Sequence, residues 1–170
     1  MKTLIVGLGN PILGDDGIGW KVAEEIEKKL QRSEIEENQV EVVCLSVGGL
    51  SLMEHLIGYD HAILVDAFAT DAQVGSISVL KLSQLSSYSP FHLTGTHDTS
   101  LQHAIELGRM MGASLPKEVM VVGISTRRIY EFSEELSPPL ARVVPYAVRI
   151  VFDLLKDLGW SNKEENQLYE

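Results

Sequence analysis

The sequence predicts an α/β fold: a single domain whose twisted, mostly parallel sheet carries helices on both faces. Three observations lead there. Short apolar runs alternate along the chain with segments whose apolar residues recur at helical spacing. The first run ends abruptly in a glycine-containing loop and then a helical pattern, the order of a strand–loop–helix unit. The 170 residues, 45% hydrophobic and 22% charged, suit one continuous core.

Taken in order, residues 3–7 (TLIVG) form a strand buried on both faces. After the loop "GLGNPILGDDGIG" (7–19), Ile18, Val22, Ala23, Ile26 and Leu30 share one helical stripe. "VEVVCLS" is the second strand, and "LSLMEHLIG" a short helix with Leu52, Met53, Leu56 and Ile57 on one side. "HAILVDA" is a third strand ending at Asp66. "GSISVLKL" alternates as a strand covered on one face does, with its direction left open. The polar loop "SQLSSYSPFHLTGTHD" carries His92 and His97. A helix follows from about Thr99, where Thr99-x-x-Gln102 has the form of a capping box, with Leu101, Ala104, Ile105, Gly108 and Met111 inward. "EVMVVGI" is the last strand and "STRRIYEFSEELS" the loop behind it. Ser137-Pro138 opens the final helix, which buries Val143, Val144, Ala147, Val148, Val151 and Leu155 and should bend at Pro145. The domain thus occupies residues 1–160, with 161–170 a frayed tail.

The formal net charge of −10 opposes binding to nucleic acid, which needs a basic face. No apolar stretch approaches the ~20 residues that span a bilayer, and the N-terminus has no signal-peptide core, so the expectation is a cytoplasmic protein with no membrane partner. The one cysteine, Cys44, falls in a strand and reads as a buried side chain rather than a catalytic thiol.

In such sheets ligands gather beyond the carboxyl ends of the strands, so the loops after residues 7, 66 and 123 should border the site. A dinucleotide reading of the first loop fails, because Gly7 and Gly9 are followed by Ile12 where a third glycine belongs, and no Walker lysine is present. The adjacent Asp15 and Asp16 would also repel a phosphate. Asp16, Asp66 and His97, two carboxylates and an imidazole, instead suit a divalent transition metal such as nickel or zinc; calcium and magnesium prefer oxygen throughout. Each has an ordinary alternative. Asp15 or Asp16 could begin the first helix, Asp66 cap a turn, Asp98 cap the helix at Thr99, and His97 be a polar loop residue. His55, His61, His92 and His103 have less claim.

"LIVGLGNPILGDDGIG", "ILVDA", "HDTSL" and "EFSEELSP" together resemble, in order and approximate spacing, the hydrogenase maturation endopeptidases. The resemblance runs from Met1 to the final helix. It implies a phosphorylase/hydrolase-like α/β fold and a metal-dependent or aspartyl-type endopeptidase that removes the C-terminal extension of a nickel–iron hydrogenase large-subunit precursor. It places the family's metal contacts, which are also its catalytic residues, on Asp16, Asp66 and His97. The implied ion is nickel already inserted in the precursor, which zinc or cadmium would replace in vitro. The family's two-glycine turn falls on Gly48-Gly49, but Leu50 stands where a threonine is frequent. No serine occupies a nucleophile elbow, so water is the expected nucleophile, activated by the metal or by a carboxylate. The exposed "STRRIYEFSEELSPP" could help dock the precursor, with Arg127 and Arg128 available to acidic groups.

Two other readings differ in class. Peptidyl-tRNA hydrolases also begin with a strand and "GLGNP", but that resemblance asks for a histidine within residues 11–30 and for a basic face. A non-enzymatic receiver-type signalling domain would use an acidic pair and a phosphoacceptor at Asp66. Here the pair lies well past the strand end, and no lysine directly follows the last strand.

Overall fold

The computed structural model describes residues 1–32, 39–85, 100–127 and 131–160. Its strands are β1 (Thr3–Leu8), β2 (Val40–Leu45), β3 (His61–Ala69), β4 (Ile77–Lys81) and β5 (Glu118–Thr126). The helices are α1 (Ile18–Gln31), α2 (Gly49–His55), α3 (Leu101–Met110) and α4 (Pro138–Asp157). The strands form one sheet in the order β2-β1-β3-β5-β4. The first four are parallel, and β4 runs antiparallel at the edge against β5. Alternating apolar–polar spacing is the same for a strand read in either direction, so the sequence left this orientation open.

Side-chain alternation splits the core into two layers. Leu4, Val6, Leu8 and Leu64 point to the face covered by α2 and α3. Ile5, Ile63, Val65 and Ile124 point to the face covered by α1 and α4. The helical stripe expected over 18–30 is the buried side of α1, with Ile18, Val22, Ala23 and Ile26 fully enclosed and Leu30 half-buried. Gly19 allows α1 to lie directly on the sheet. A Cβ there would stand 2.2 Å from the Leu8 carbonyl oxygen and 2.4 Å from that of Val65.

Several expectations change in detail. Helix α3 is capped by Ser100, whose hydroxyl accepts the His103 backbone N–H; Thr99 of the expected capping box lies outside the described residues, and Gln102 Nε2 donates to the carbonyls of Leu82 and Leu85. Met111 lies beyond the last turn and is exposed. Helix α2 ends at His55, which turns Leu56 into the core and Ile57 outward. Helix α4 starts at Ser137-Pro138 as expected and runs through Pro145 to Asp157, with Leu140 added to its buried side and Val143 and Val144 only half-buried. Strand β3 continues past Asp66 to Ala69 because β5 extends beside it, pairing Ala69 with Thr126. The proposed tail 161–170 lies outside the described residues, within which no helix is long and apolar enough to cross a membrane.

Candidate active site

The connections β1–α1–β2 and β2–α2–β3 leave the sheet on opposite faces, because α1 packs with one layer and α2 with the other. The strand order therefore reverses between β1 and β3, the position at which the loops of such sheets diverge and leave a crevice for ligands. Pairing of β1 with β3 stops at Gly7 and Val65. The next residue of β3 is Asp66, the first beyond that pairing.

Asp66 is 0% exposed. Leu64 and Phe68, two residues before and after it, belong to the layer beneath α2 and α3, so alternation directs Asp66 to that same face. Its register partner on β5 is Gly123, which puts no side chain beside it. A buried carboxylate costs several kcal/mol unless it is partnered, and Asp66 has such a partner.

The first loop brings the second carboxylate over the end of β1. Gly9 adopts φ +125°, and a Cβ on it would lie 2.0 Å from the Asp16 carbonyl oxygen. Only glycine permits the two backbones to meet. Asn10 donates its backbone N–H to Asp16 Oδ2 at 2.8 Å, and its own Oδ1 accepts the Ile12 N–H at 3.2 Å. Ser46 Oγ donates to the Gly9 carbonyl at 2.7 Å, tying in the end of β2. The Asn-Pro pair was the sequence signal for this turn, since asparagine side chains bond the backbone two residues on.

Asp15 and Asp16, indistinguishable by type, have separate tasks. Asp15 Oδ1 accepts the Ser137 backbone N–H at 2.6 Å, and Oδ2 accepts the Ser137 hydroxyl at 2.8 Å. It thereby ties the N-cap residue of α4 to the first loop, while the Ser137 side chain makes no capping bond to the helix. The structure takes Asp15 out of the crevice and keeps Asp16 at it. This clamp escaped the sequence reading, because Ser137 lies 122 residues away.

His97, the third expected ligand, and His92 lie outside the described residues. Among those described, no three histidine, cysteine or acidic side chains gather as a metal site. His61 starts β3 at the opposite edge of the sheet from Asp66. The His55 ring is bonded to the Ser51 carbonyl and the His103 ring to Ser100 Oγ. Cys44 is half-buried on the edge strand β2, and burial pushes its thiol up to about 11, which keeps it protonated and a poor nucleophile. A groove of about 930 Å³ lies between α1 and α4, floored by Val144, Pro145, Val148, Phe152 and Trp160, with Glu134 and Glu135 also in its lining.

The hydrogenase maturation protease family model, HycI, matches residues 20–154. Asp66 falls within that span, and Asp16 lies just ahead of it. The chain is 24% identical over 160 residues to the hydrogenase 2 maturation protease of Escherichia coli K12, covering 94% of this chain and 93% of that protein. It is 22% identical over 158 residues to the hydrogenase expression/formation protein HupD of Rhizobium leguminosarum, covering 93% and 76%. Among solved structures, the hydrogenase maturating endopeptidase HybD from E. coli superimposes with a TM-score of 0.74 at 24% identity, covering 94% of each chain. The nickel–iron hydrogenase maturation protease HybD from Thermococcus kodakarensis gives 0.64 at 21%, covering 91% of this chain and 99% of that one. These structural likenesses show the fold. The extensive family match decides the rest: the chain belongs to the hydrogenase maturation proteases, a family of peptidases.

Proposed function

We propose that this protease removes the C-terminal extension of a nickel–iron hydrogenase large-subunit precursor after nickel has been inserted, and that Asp16, Asp66 and His97 recognise that nickel. This reading is supported by Asp66 being the first residue of β3 beyond its pairing with β1, by the Asn10 N–H bond to Asp16 just after β1, and by the commitment of Asp15 to Ser137. The ion is part of the substrate, so a ligand set on the enzyme adds affinity only for a loaded precursor and acts as a gate. Without precursor the same three residues would take zinc or cadmium adventitiously.

Hydrolysis proceeds by addition of water to the scissile carbonyl. The proton lost by the water passes to the departing amine as the C–N bond breaks. Activation of the water falls to the substrate's nickel or to Asp16 or Asp66 acting as general base. A variant that holds nickel-loaded precursor without cutting it assigns the step to the carboxylate.

The test is incubation with the large-subunit precursor of the same organism, prepared with and without nickel, with loss of the C-terminal peptide followed by mass spectrometry. Only loaded precursor should be cut, and omitting nickel beforehand should matter more than a chelator added after loading. Asp16→Asn should abolish processing. Full processing by Asp16→Asn ends the assignment of the site.

A further inference from the structure

Residues 9–17, which include Asp16, and residues 131–137 are joined by hydrogen bonds into one ledge. The Gly14 N–H donates to the Ser133 carbonyl at 2.7 Å, and the Ser133 N–H donates to the Ile12 carbonyl at 3.0 Å, pairing the strands of the two loops at Leu13 and Ser133. The Asp15–Ser137 clamp fixes the same pair a few residues on. Ser133 Oγ accepts the Glu135 N–H and so folds the second loop on itself.

This fixed backbone holds apolar side chains in water. Phe132 is 86% exposed and Ile12 is 48% exposed. A phenylalanine displayed on a hydrogen-bonded support, beside a candidate catalytic crevice, is a contact surface rather than an unpacked core residue. Glu131, Glu134 and Glu135 are exposed around it. Residues 9–17 and 131–137 together carry Asp15, Asp16, Glu131, Glu134 and Glu135 and no lysine or arginine, an acidic balance. Leu50, Ile57, Val79 and Tyr146 are exposed elsewhere on the surface, and Leu107, Met110 and Met111 at the far end of α3.

We propose that this acidic, apolar ledge docks a segment of the large-subunit precursor that carries apolar side chains flanked by lysine or arginine, alongside the bond to be cut. The proposal rests on the functional reading above for its partner. Phe132 and Ile12 supply the buried centre of the contact, while Glu134 and Glu135 steer the basic segment toward it. The ledge and Asp16 share one loop, so docking sets the register of the substrate at the crevice.

The experiment measures affinity of the same organism's precursor for the wild type and variants by calorimetry, alongside kcat and KM. Phe132→Ala should weaken binding and raise KM about tenfold at unchanged kcat, and Phe132→Leu should restore most of it. The double reversal Glu134→Lys, Glu135→Lys should weaken binding at low salt, with the deficit shrinking at high salt. Wild-type affinity in these variants, or no binding by the wild type, overturns the ledge. Processing that ignores nickel or survives Asp16→Asn overturns the metal gate instead and leaves the affinity comparison intact.

Discussion

Two adjacent aspartates show how position outranks residue type. Asp15 receives two hydrogen bonds from Ser137, and so carries the load of joining α4 to the first loop. Asp15→Ala should cost about 1–2 kcal/mol of stability in chemical denaturation, the usual scale for lost hydrogen bonds. It should also slow processing, because the loop bearing Asp16 loses its anchor. Asp15→Asn retains an acceptor and should recover part of both. Cys44 makes the converse point that a reactive type can be inert in place. Its thiol rises from 9.0 to about 11, chiefly through burial. At pH 8 the thiolate population is then roughly a hundredfold lower than in the unfolded chain, and iodoacetamide should label folded protein correspondingly slowly. The native state keeps this proton longer than the unfolded state does. The contribution to stability is therefore intact below about pH 9 and is lost as pH climbs toward 11, which a denaturation series across that range would register.

At the level of elements, the site depends on how closely α1 approaches the sheet. Gly19 faces the carbonyls of Leu8 and Val65 at distances no Cβ tolerates, and both oxygens belong to backbone that cannot move aside. Gly19→Ala should destabilise the protein by roughly 3 kcal/mol or more, seen as a fall in melting temperature, because α1 must lift from β1 and β3. Gly9→Ala strains the loop twice over, through its φ of +125° and through its contact with the Asp16 carbonyl. The fourth strand adds a different device. Ser76 and Thr70 meet Ser125 through their hydroxyls at 3.0 and 3.2 Å, closing the turn from β3 into β4 beside β5. That network satisfies a nearly fully buried serine and secures the antiparallel edge.

For the whole molecule, the two layers of core meet at a sheet whose order reverses once, and that reversal places the crevice. It also separates this architecture from a receiver-type domain. There five parallel strands follow the order 2-1-3-4-5, whereas here an antiparallel β4 occupies the edge and β5 lies inside it. The described core closes at Trp160, which is 8% exposed and stacks obliquely on Phe152 with ring centroids 6.4 Å apart. We propose that the folding unit ends there. A chain cut after residue 160 should melt at the same temperature as the full chain, while Trp160→Ala should cost about 3 kcal/mol in the same assay.

The sequence by itself determined the α/β class, the helical stripe of α1, the Ser137-Pro138 start of α4 and the family, because each depends on spacing along a few turns or on a set of linked motifs. It also offered Asp16, Asp66 and His97 as candidates, from their positions beyond strand ends and before a helix, from their ligand chemistry, and then from the resemblance. What only the tertiary structure decided was the antiparallel direction of β4, the extension of β3 past Asp66, the cap at Ser100 and the division of labour between Asp15 and Asp16. The two strands depend on β5 and Asp15 on Ser137, each far away in the chain, while at the start of α3 Gln102 is drawn off to the carbonyls of Leu82 and Leu85. A local pattern carries no information about which distant group will fill a hydrogen bond, so the choice between two neighbouring carboxylates becomes visible only when the chain has closed on itself.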